Sequence, residues 1–172
     1  MVACNKAKLF YGTALLAVVV DQVTKAIARS ALSDGLPVVV IPGFFDLKLS
    51  FNPGAAFGML PNWAPLFMVV ALVAAFAIVR LRGNRPQSKI LTVGLALVLG
   101  GALGNLIDRL CSPDHVVTDF LSFFVSTGSG AHAWPTFNIA DAAVVVGAIL
   151  MFFYVYIVER GRVEPVDDAP NA

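Results

Sequence analysis

The chain has 172 residues, of which 58% are hydrophobic and 13% are charged, and its mean hydropathy is +0.81. Soluble domains carry about a quarter charged residues, so this composition predicts one integral membrane domain rather than a soluble protein. The net charge of +1 gives no sign of nucleic-acid binding, and the two cysteines argue against a disulfide framework.

The first apolar run covers residues 9–20 and follows two lysines. A basic start and a short apolar core also fit a secretory signal peptide. Against that alternative, Asp21 and Lys25 would fall between the core and any cleavage site, and three further apolar runs follow. We therefore predict a first membrane-spanning helix over residues 9–28.

Asp21 and Lys25 carry opposite charges four positions apart, so they share one face of that helix. Each would cost roughly 2.5–3.5 kcal/mol at the centre of a span, which favours a position towards its far end. The pair is either a structural ion pair of the helix bundle or part of a functional site.

Residues 29–62 do not have the pattern of a span. Apolar and polar residues alternate over 45–52, which is typical of a half-buried strand, and a turn at Pro42-Gly43 predicts a hairpin with residues 38–41. Such a sheet could lie on the bilayer surface. The loop at 52–58 is rich in small residues, so it either lets a ligand backbone come close or is an ordinary connection.

The later apolar runs predict three more spans, at residues 63–79, 90–107 and 139–158. Eight of the 12 Lys and Arg residues lie at the N-terminus, in the 80–89 loop, or just after the last span. Cytoplasmic flanks of membrane proteins carry such an excess. We therefore predict that both termini are cytoplasmic.

This topology places the segments 29–62 and 110–137 outside. We assign residues 1–160 to a single membrane domain and expect a disordered cytoplasmic tail at 161–172, where the composition is polar and rich in proline.

Polar residues gather at one predicted depth. Asn105, Asp108 and Arg109 end the third span on one helical face, after glycines that let a neighbouring helix approach. Asn138 and Asp141 begin the fourth span, which starts outside. Together with the pair in the first span, these groups form one layer at the outer leaflet, and ionisable residues there mark a functional site.

Asp119 and Asp141 have no Lys or Arg within four residues. Two such carboxyls in a partly desolvated site would share one proton, which gives one base and one acid able to hydrolyse a peptide bond. Each also has a structural interpretation. Asn138 and Asp141 fit a capping box, and Thr118 fits the cap of a short helix over 119–125.

Other catalytic schemes fit poorly, because the chain lacks the His-Glu-x-x-His motif of zinc proteases and the Gly-x-Ser-x-Gly motif of serine hydrolases. Two histidines far apart make a weak metal site.

A non-enzymatic alternative is a small proton-coupled transporter or scaffold. Such a transporter would need a polar path through the inner half of the bilayer, where all four predicted spans are apolar.

The chain resembles the bacterial lipoprotein signal peptidases (signal peptidase II) in five motifs that occur in the family's order. They are Asp21-Gln22-x-Thr24-Lys25, Asn52-x-Gly54-Ala55-Ala56-Phe57-Gly58, Gly104-Asn105-x-x-Asp108-Arg109, Val117-x-Asp119-Phe120 and Phe137-Asn138-x-Ala140-Asp141.

The resemblance implies an all-α inner-membrane protein with four transmembrane helices, an outer β-cradle and a short outer helix. It implies cleavage of prolipoproteins before their diacylglyceryl-modified cysteine, with no metal or other cofactor. We expect the enzyme to be monomeric, to contact membrane lipids and to have no nucleic-acid partner. The resemblance assigns catalysis to Asp119 and Asp141. The supporting or substrate-contacting positions it implies are Asp21, Lys25, Asn52, Gly54, Asn105, Asp108, Arg109, Asn138 and Ala140.

Two departures from the family pattern lie near the first catalytic position. Asp119 follows Asp108 by 11 positions, slightly more than expected, and Asp114 lies within this interval as a weaker rival. Thr118 stands where an aliphatic residue usually precedes the aspartate.

Overall fold

The computed structural model describes residues 2–54, 63–83, 88–127 and 130–159. Its elements are α1 (Val2–Ala31), β1 (Val38–Ile41), β2 (Phe45–Asn52), α2 (Ala64–Gly83), α3 (Lys89–Cys111), β3 (Val117–Thr127), β4 (Gly130–Ala133) and α4 (Ile139–Phe153), which continues as a π-helix at Tyr154–Glu159. The predicted tail at 161–172 and part of the 52–58 loop lie outside the described residues.

Three of the helices are long and apolar enough to cross a membrane. They are Asn5–Ala31, Lys89–Cys111 and Ile139–Tyr156, whereas α2 contains a shorter apolar stretch at Ala64–Arg80. The predicted spans at 9–28 and 90–107 lie within helices, that at 63–79 begins one residue before α2, and that at 139–158 covers α4 and part of the π-helix that continues it. The large apolar side chains on the outside of the helices, such as Leu15, Leu16 and Phe76, are more than half exposed, as expected of surfaces that face lipid.

The helix α3 packs against all three other helices, most extensively against α4 and α1. Glycines make this possible. A Cβ atom on Gly100 would lie 2.7 Å from the carbonyl oxygen of Ala14 in α1, and one on Gly101 would collide with the backbone of Ala140 in α4. The close helix approach predicted from these glycines is confirmed.

The four strands form one antiparallel sheet in the order β1-β2-β3-β4. The predicted hairpin is confirmed: Val38 pairs with Leu47, and Gly43 turns the chain with a φ of 76°. An apolar cluster built on Ala28, Leu32 and Phe120 attaches the sheet to the end of α1. We call this end of the bundle, where α1 and α3 end and α4 begins, the sheet end.

The predicted short helix over residues 119–125 is wrong, because these residues belong to β3. Thr118 is a strand residue that pairs with Phe51 rather than a helix cap. The β-branched and aromatic side chains of this segment favour a strand, and pairing with β2 satisfies its backbone. The described parts of the two segments that connect the helices at the sheet end contain no short helix.

Candidate active site

A buried ion cluster lies at the sheet end. Lys25 Nζ is 2.9 Å from Asp21 Oδ2 in α1 and 3.1 Å from Asp108 Oδ2 in α3, and these two carboxylates compensate its charge away from water. Lys25 and Asp21 are fully buried. The predicted Asp21–Lys25 pair is confirmed, and the structure extends it to a second helix.

Asp21 also ties α1 to α4. Its Oδ1 atom accepts a hydrogen bond from the backbone N–H of Ala140 at 2.9 Å, in the first turn of α4. Gln22 Nε2 donates to the carbonyl oxygen of Gly104 and to Asp108 Oδ1, at 3.0 and 3.1 Å. The ends of three helices are therefore held together by buried polar groups, which a low-dielectric setting strengthens.

Asn105 connects this cluster to the candidate catalytic residues. Its Oδ1 atom accepts from Lys25 Nζ at 2.9 Å and from Asn138 Nδ2 at 3.1 Å. Its Nδ2 atom donates to Asp141 Oδ1 at 2.7 Å. The Asn105 amide thus connects the buried charges by hydrogen bonds to one of the two predicted catalytic carboxyls.

Asp119 is 2% exposed and is held by two amides. Asn138 Nδ2 donates to its Oδ1 at 2.7 Å, and Asn52 Nδ2 donates to its Oδ2 at 3.2 Å. Burial, and after it the nearby charge of Asp141, raise the pKa of the Asp119 carboxyl from 3.8 to about 7, against a lowering by the hydrogen bonds from Asn52 and Asn138 and by the charge of Lys25. A proton at this site is therefore retained close to neutral pH.

Asp141 sits in the first turn of α4, where the predicted capping box is present. Its backbone N–H donates to Asn138 Oδ1 at 2.9 Å, and its Oδ2 accepts from the backbone N–H of Asn138 at 3.2 Å. The structural interpretation of Asp141 therefore holds, but its Oδ1 atom faces Asn105 instead. The Asn138 side chain caps the helix at the backbone N–H of Asp141 and donates to the Asp119 carboxyl, so Asn138 connects these two residues.

Both carboxyls line one cavity of about 660 Å³. Its polar wall comes from Asn52, Asn105, Arg109 and the two carboxyls, and its other wall is apolar and comes from α4 and the segment before it. The lining residues are Asn52, Gly54, Asn105, Arg109, Val117, Asp119, Trp134, Pro135, Thr136, Phe137, Asp141, Ala142, Val144, Val145 and Val146. An apolar segment with a polar backbone fits such a site.

Arg109 reaches the cavity wall rather than the ion cluster. Its NH2 atom donates to the carbonyl oxygen of Gly54 at 2.9 Å, and its guanidinium carbon lies 5.5 Å from the centre of the Phe67 ring. Its buried Nε atom has no hydrogen-bond partner among the described residues. Adjacent Asp108 points into the ion cluster instead, as expected for neighbouring positions on a helix.

The structure thus brings together every residue that the sequence marked for the site, and it leaves Asp114 apart. Asp114 is exposed in the bend after α3 and does not line the cavity. The described residues also contain no group of three His, Cys, Asp or Glu side chains arranged to hold a metal ion.

Sequence reasoning gave no role to Arg29, which the structure places beside the site. Arg29 NH1 donates to Thr118 Oγ1 at 2.9 Å and lies 3.9 Å from Asp108 Oδ1. A signal for Arg29 was present, because it continues the four-residue spacing of Asp21 and Lys25 along one face of α1.

Comparisons with known proteins agree on one family. A family model described as signal peptidase (SPase) II matches residues 13–157. A lipoprotein signal peptidase of Symbiobacterium thermophilum is 43% identical over 148 residues, which cover 86% of this chain and 93% of that protein. One from Pelotomaculum thermopropionicum is 44% identical over 133 residues, which cover 77% of this chain and 81% of that protein.

Solved structures give the same fold. A bacterial membrane enzyme determined by the in meso method at 2.3 Å matches with a TM-score of 0.77 and 30% sequence identity, covering 89% of this chain and 90% of that one. A second such enzyme, determined at 1.9 Å, matches with a TM-score of 0.71 and 32% identity, covering 83% and 89% of the two chains.

Proposed function

The chain belongs to the signal peptidase II family, and from its site we propose that it is an aspartyl endopeptidase of prolipoproteins. It removes the signal peptide by cleaving before the diacylglyceryl-modified cysteine. The observation that carries this proposal is the pair Asp119 and Asp141, which line one cavity and are joined through the side chain of Asn138.

The two carboxyls share one proton in the resting site. The raised pKa of Asp119, caused by burial and by the charge of Asp141, favours this state. The charged carboxyl takes a proton from a water molecule, which attacks the scissile carbonyl carbon. The protonated carboxyl then donates to the leaving amine. Which aspartate begins as the base is a property of the pair.

The supporting residues hold this dyad and the substrate backbone. Asn105 and Asn138 donate to Asp141 and Asp119 through their amide groups. Asn52 and Gly54 line the cavity at the end of β2, where a backbone can approach closely. Arg109 faces the same cavity, and we assign it to contact with a substrate carbonyl, because guanidinium N–H groups bond carbonyl oxygens well.

We propose four transmembrane spans with both termini in the cytoplasm of a bacterial inner membrane. The three long apolar helices and the shorter apolar stretch of α2 support this arrangement, and so does the position of the basic residues. The sheet end, with its polar site, then lies at the outer leaflet. The signal helix enters the cavity from the lipid along the apolar wall of α4, and the substrate's acyl chains remain among the membrane lipids.

The half of the bundle far from the sheet supports an enzyme over a transporter. Its described core contains an apolar cluster of Phe10, Ala14, Ile78, Leu95, Ala96 and Leu99, and the buried hydroxyl of Thr92 there is bonded to the backbone of its own helix turn. A proton or solute path through the membrane would need polar groups there. We also expect a single copy of the chain to be active, because both aspartates and their partners come from one chain.

The decisive experiment is cleavage of a diacylglyceryl-modified prolipoprotein by the purified protein in detergent, with a metal chelator present. Wild type should cleave, whereas Asp119→Asn and Asp141→Asn should lose turnover and retain thermal stability. Asp114→Asn is the matched control, because it removes an exposed carboxyl from the same interval, and it should cleave as wild type does. Cleavage by either dyad variant at the wild-type rate would contradict the proposed roles.

A further inference from the structure

Thr118, which directly precedes Asp119, is held by three different elements at once. Its backbone N–H donates to Asp108 Oδ2 in α3 at 2.9 Å, and its carbonyl oxygen accepts from Asn138 Nδ2 at 3.3 Å. Its hydroxyl accepts from Arg29 NH1 in α1 at 2.9 Å. Because Thr118 is only 4% exposed, water contributes little to these contacts.

The contact with Arg29 depends on the hydroxyl of Thr118, because an aliphatic side chain cannot accept a hydrogen bond. Threonine supplies the acceptor here. Arg29 meets it with a guanidinium group that also lies 3.9 Å from Asp108, so one side chain connects α1, α3 and β3.

The amide of Asn138 transmits the position of Thr118 to the dyad. Its Nδ2 atom has two hydrogens, but it faces three acceptors: Asp119 Oδ1 at 2.7 Å, Asn105 Oδ1 at 3.1 Å and the Thr118 carbonyl oxygen at 3.3 Å. A shift of the Thr118 backbone changes how these two hydrogens are shared. The hydrogen bond from Asn138 to Asp119 then changes as well, and the orientation of the Asp119 carboxyl depends on that bond.

We infer that Arg29 and Thr118 are a positioning pair, whose hydrogen bond fixes the start of β3 so that Asp119 is held in register with Asp141. This inference rests on the proposed peptidase function. Neither residue contacts the reacting atoms. The pair acts through the backbone of β3 and the amide of Asn138, and so it affects the chemical step more than substrate binding.

The test compares kcat and KM for cleavage of a diacylglyceryl-modified prolipoprotein by Thr118→Val, Thr118→Ser, Arg29→Met and the double variant Thr118→Val/Arg29→Met. Thr118→Val should lower kcat roughly tenfold, the scale of one hydrogen bond to a charged group, and leave KM within about twofold. Thr118→Ser keeps the hydroxyl and should restore kcat. The double variant should be no slower than the slower single variant, because both remove the same bond.

Thr92→Val is the matched control. Thr92 is 2% exposed, and its hydroxyl donates to the carbonyl oxygen of Ser88 at 2.8 Å, at the opposite end of the bundle. It should lower the unfolding temperature about as much as Thr118→Val does while kcat stays at the wild-type value. If Thr118→Val does not fold, Arg29→Met takes its place, because that side chain is 41% exposed.

The outcomes separate the two claims. Absence of cleavage by well-folded wild type overturns the proposed function. Wild-type cleavage with an unchanged kcat in Thr118→Val, or with effects that multiply in the double variant, overturns the positioning pair alone. An equal loss of kcat in Thr92→Val also overturns it, because the effect would then follow general stability.

Discussion

The ammonium group of Lys25 donates to the side-chain oxygen of Asn105 at 2.9 Å, and this contact decides which way the Asn105 amide faces. Because Lys25 has no acceptor atom, only the oxygen of the amide can face it. The amide nitrogen is then directed to Asp141 at 2.7 Å. A fully buried residue that does not line the cavity thereby orients a donor to Asp141.

The first prediction concerns Lys25 itself. Lys25→Met should lower the free energy of unfolding by about 3–5 kcal/mol, because it leaves Asp21 and Asp108 buried without the cation between them. Thermal unfolding in detergent measures the change. Lys48→Met, at an exposed position of β2, should unfold as wild type does. A loss in Lys25→Met no larger than that of Lys48→Met would show that this cluster does not stabilise the fold.

A second prediction separates the two roles of Asn138. Asn138→Ser keeps a cap for α4, since serine is as good an N-cap as asparagine, but its short side chain cannot donate to Asp119. We therefore expect a strong loss of kcat, and a loss of stability that comes from the buried acceptors deprived of their donor rather than from the helix cap. Asn138→Ala should lose the cap as well, which costs about 1 kcal/mol more.

Thermal unfolding and turnover, measured on the same preparations, distinguish the two Asn138 variants. Full turnover by Asn138→Ser would mean that the helix cap is sufficient and that the contact with Asp119 is dispensable.

Most of what the sequence predicted correctly came from patterns among residues close together along the chain. The contact between Asp21 and Lys25 lies within one helical turn, and so does the capping box of Asn138 and Asp141, so each follows from helix geometry alone. The four apolar runs predicted their helices for the same reason, since the length and polarity of a segment suffice to indicate a span.

Non-local contacts were the part that spacing could not predict. The segment after Thr118 has the local signal of a capped helix, but β2 offers it a complete set of backbone partners, and the segment forms a strand. The bond between Arg29 and Thr118 joins residues 89 positions apart. No periodicity indicates such a contact, and it becomes visible only when α1 and β3 are seen side by side.

The dyad predicts a particular pH dependence of turnover. The pKa of Asp119 is raised to about 7, first by burial and then by the charge of Asp141. In the proposed mechanism the pair keeps its single proton below this pH and loses it above. Because the reaction needs one acid and one base, kcat/KM should fall as the pH rises through about 7.

Asn52 provides the check on this pH dependence. Its hydrogen bond to the Asp119 carboxylate favours the charged form and so lowers that pKa. Asn52→Leu should move the alkaline limb of the kcat/KM profile to higher pH, whatever it does to the maximal rate. A profile that stays level from about pH 6 to 9 in wild type would rule out a shared proton.

The last prediction concerns the glycines that let α3 lie so close to its neighbours. A Cβ atom on Gly104 would lie 2.5 Å from Asp21 Oδ2 and 3.2 Å from the Cβ atom of Ala140, so Gly104→Ala would displace the buried ion cluster from α3. Gly12→Ala is the matched control in α1, because a Cβ atom there meets nothing within 4 Å. Alanine is favoured over glycine within a helix by about 1 kcal/mol, so the control should be as stable as wild type or slightly more stable.

Gly104→Ala gains the same helix propensity, but overpacking costs typically about 1–3 kcal/mol, and here the atom that must move carries a charge paired with Lys25. We expect a net loss of unfolding temperature for Gly104→Ala alone, measured by thermal unfolding of both variants in one detergent. Equal unfolding temperatures would mean that α1 and α3 can separate without cost, which would contradict the close packing on which the geometry of the site depends.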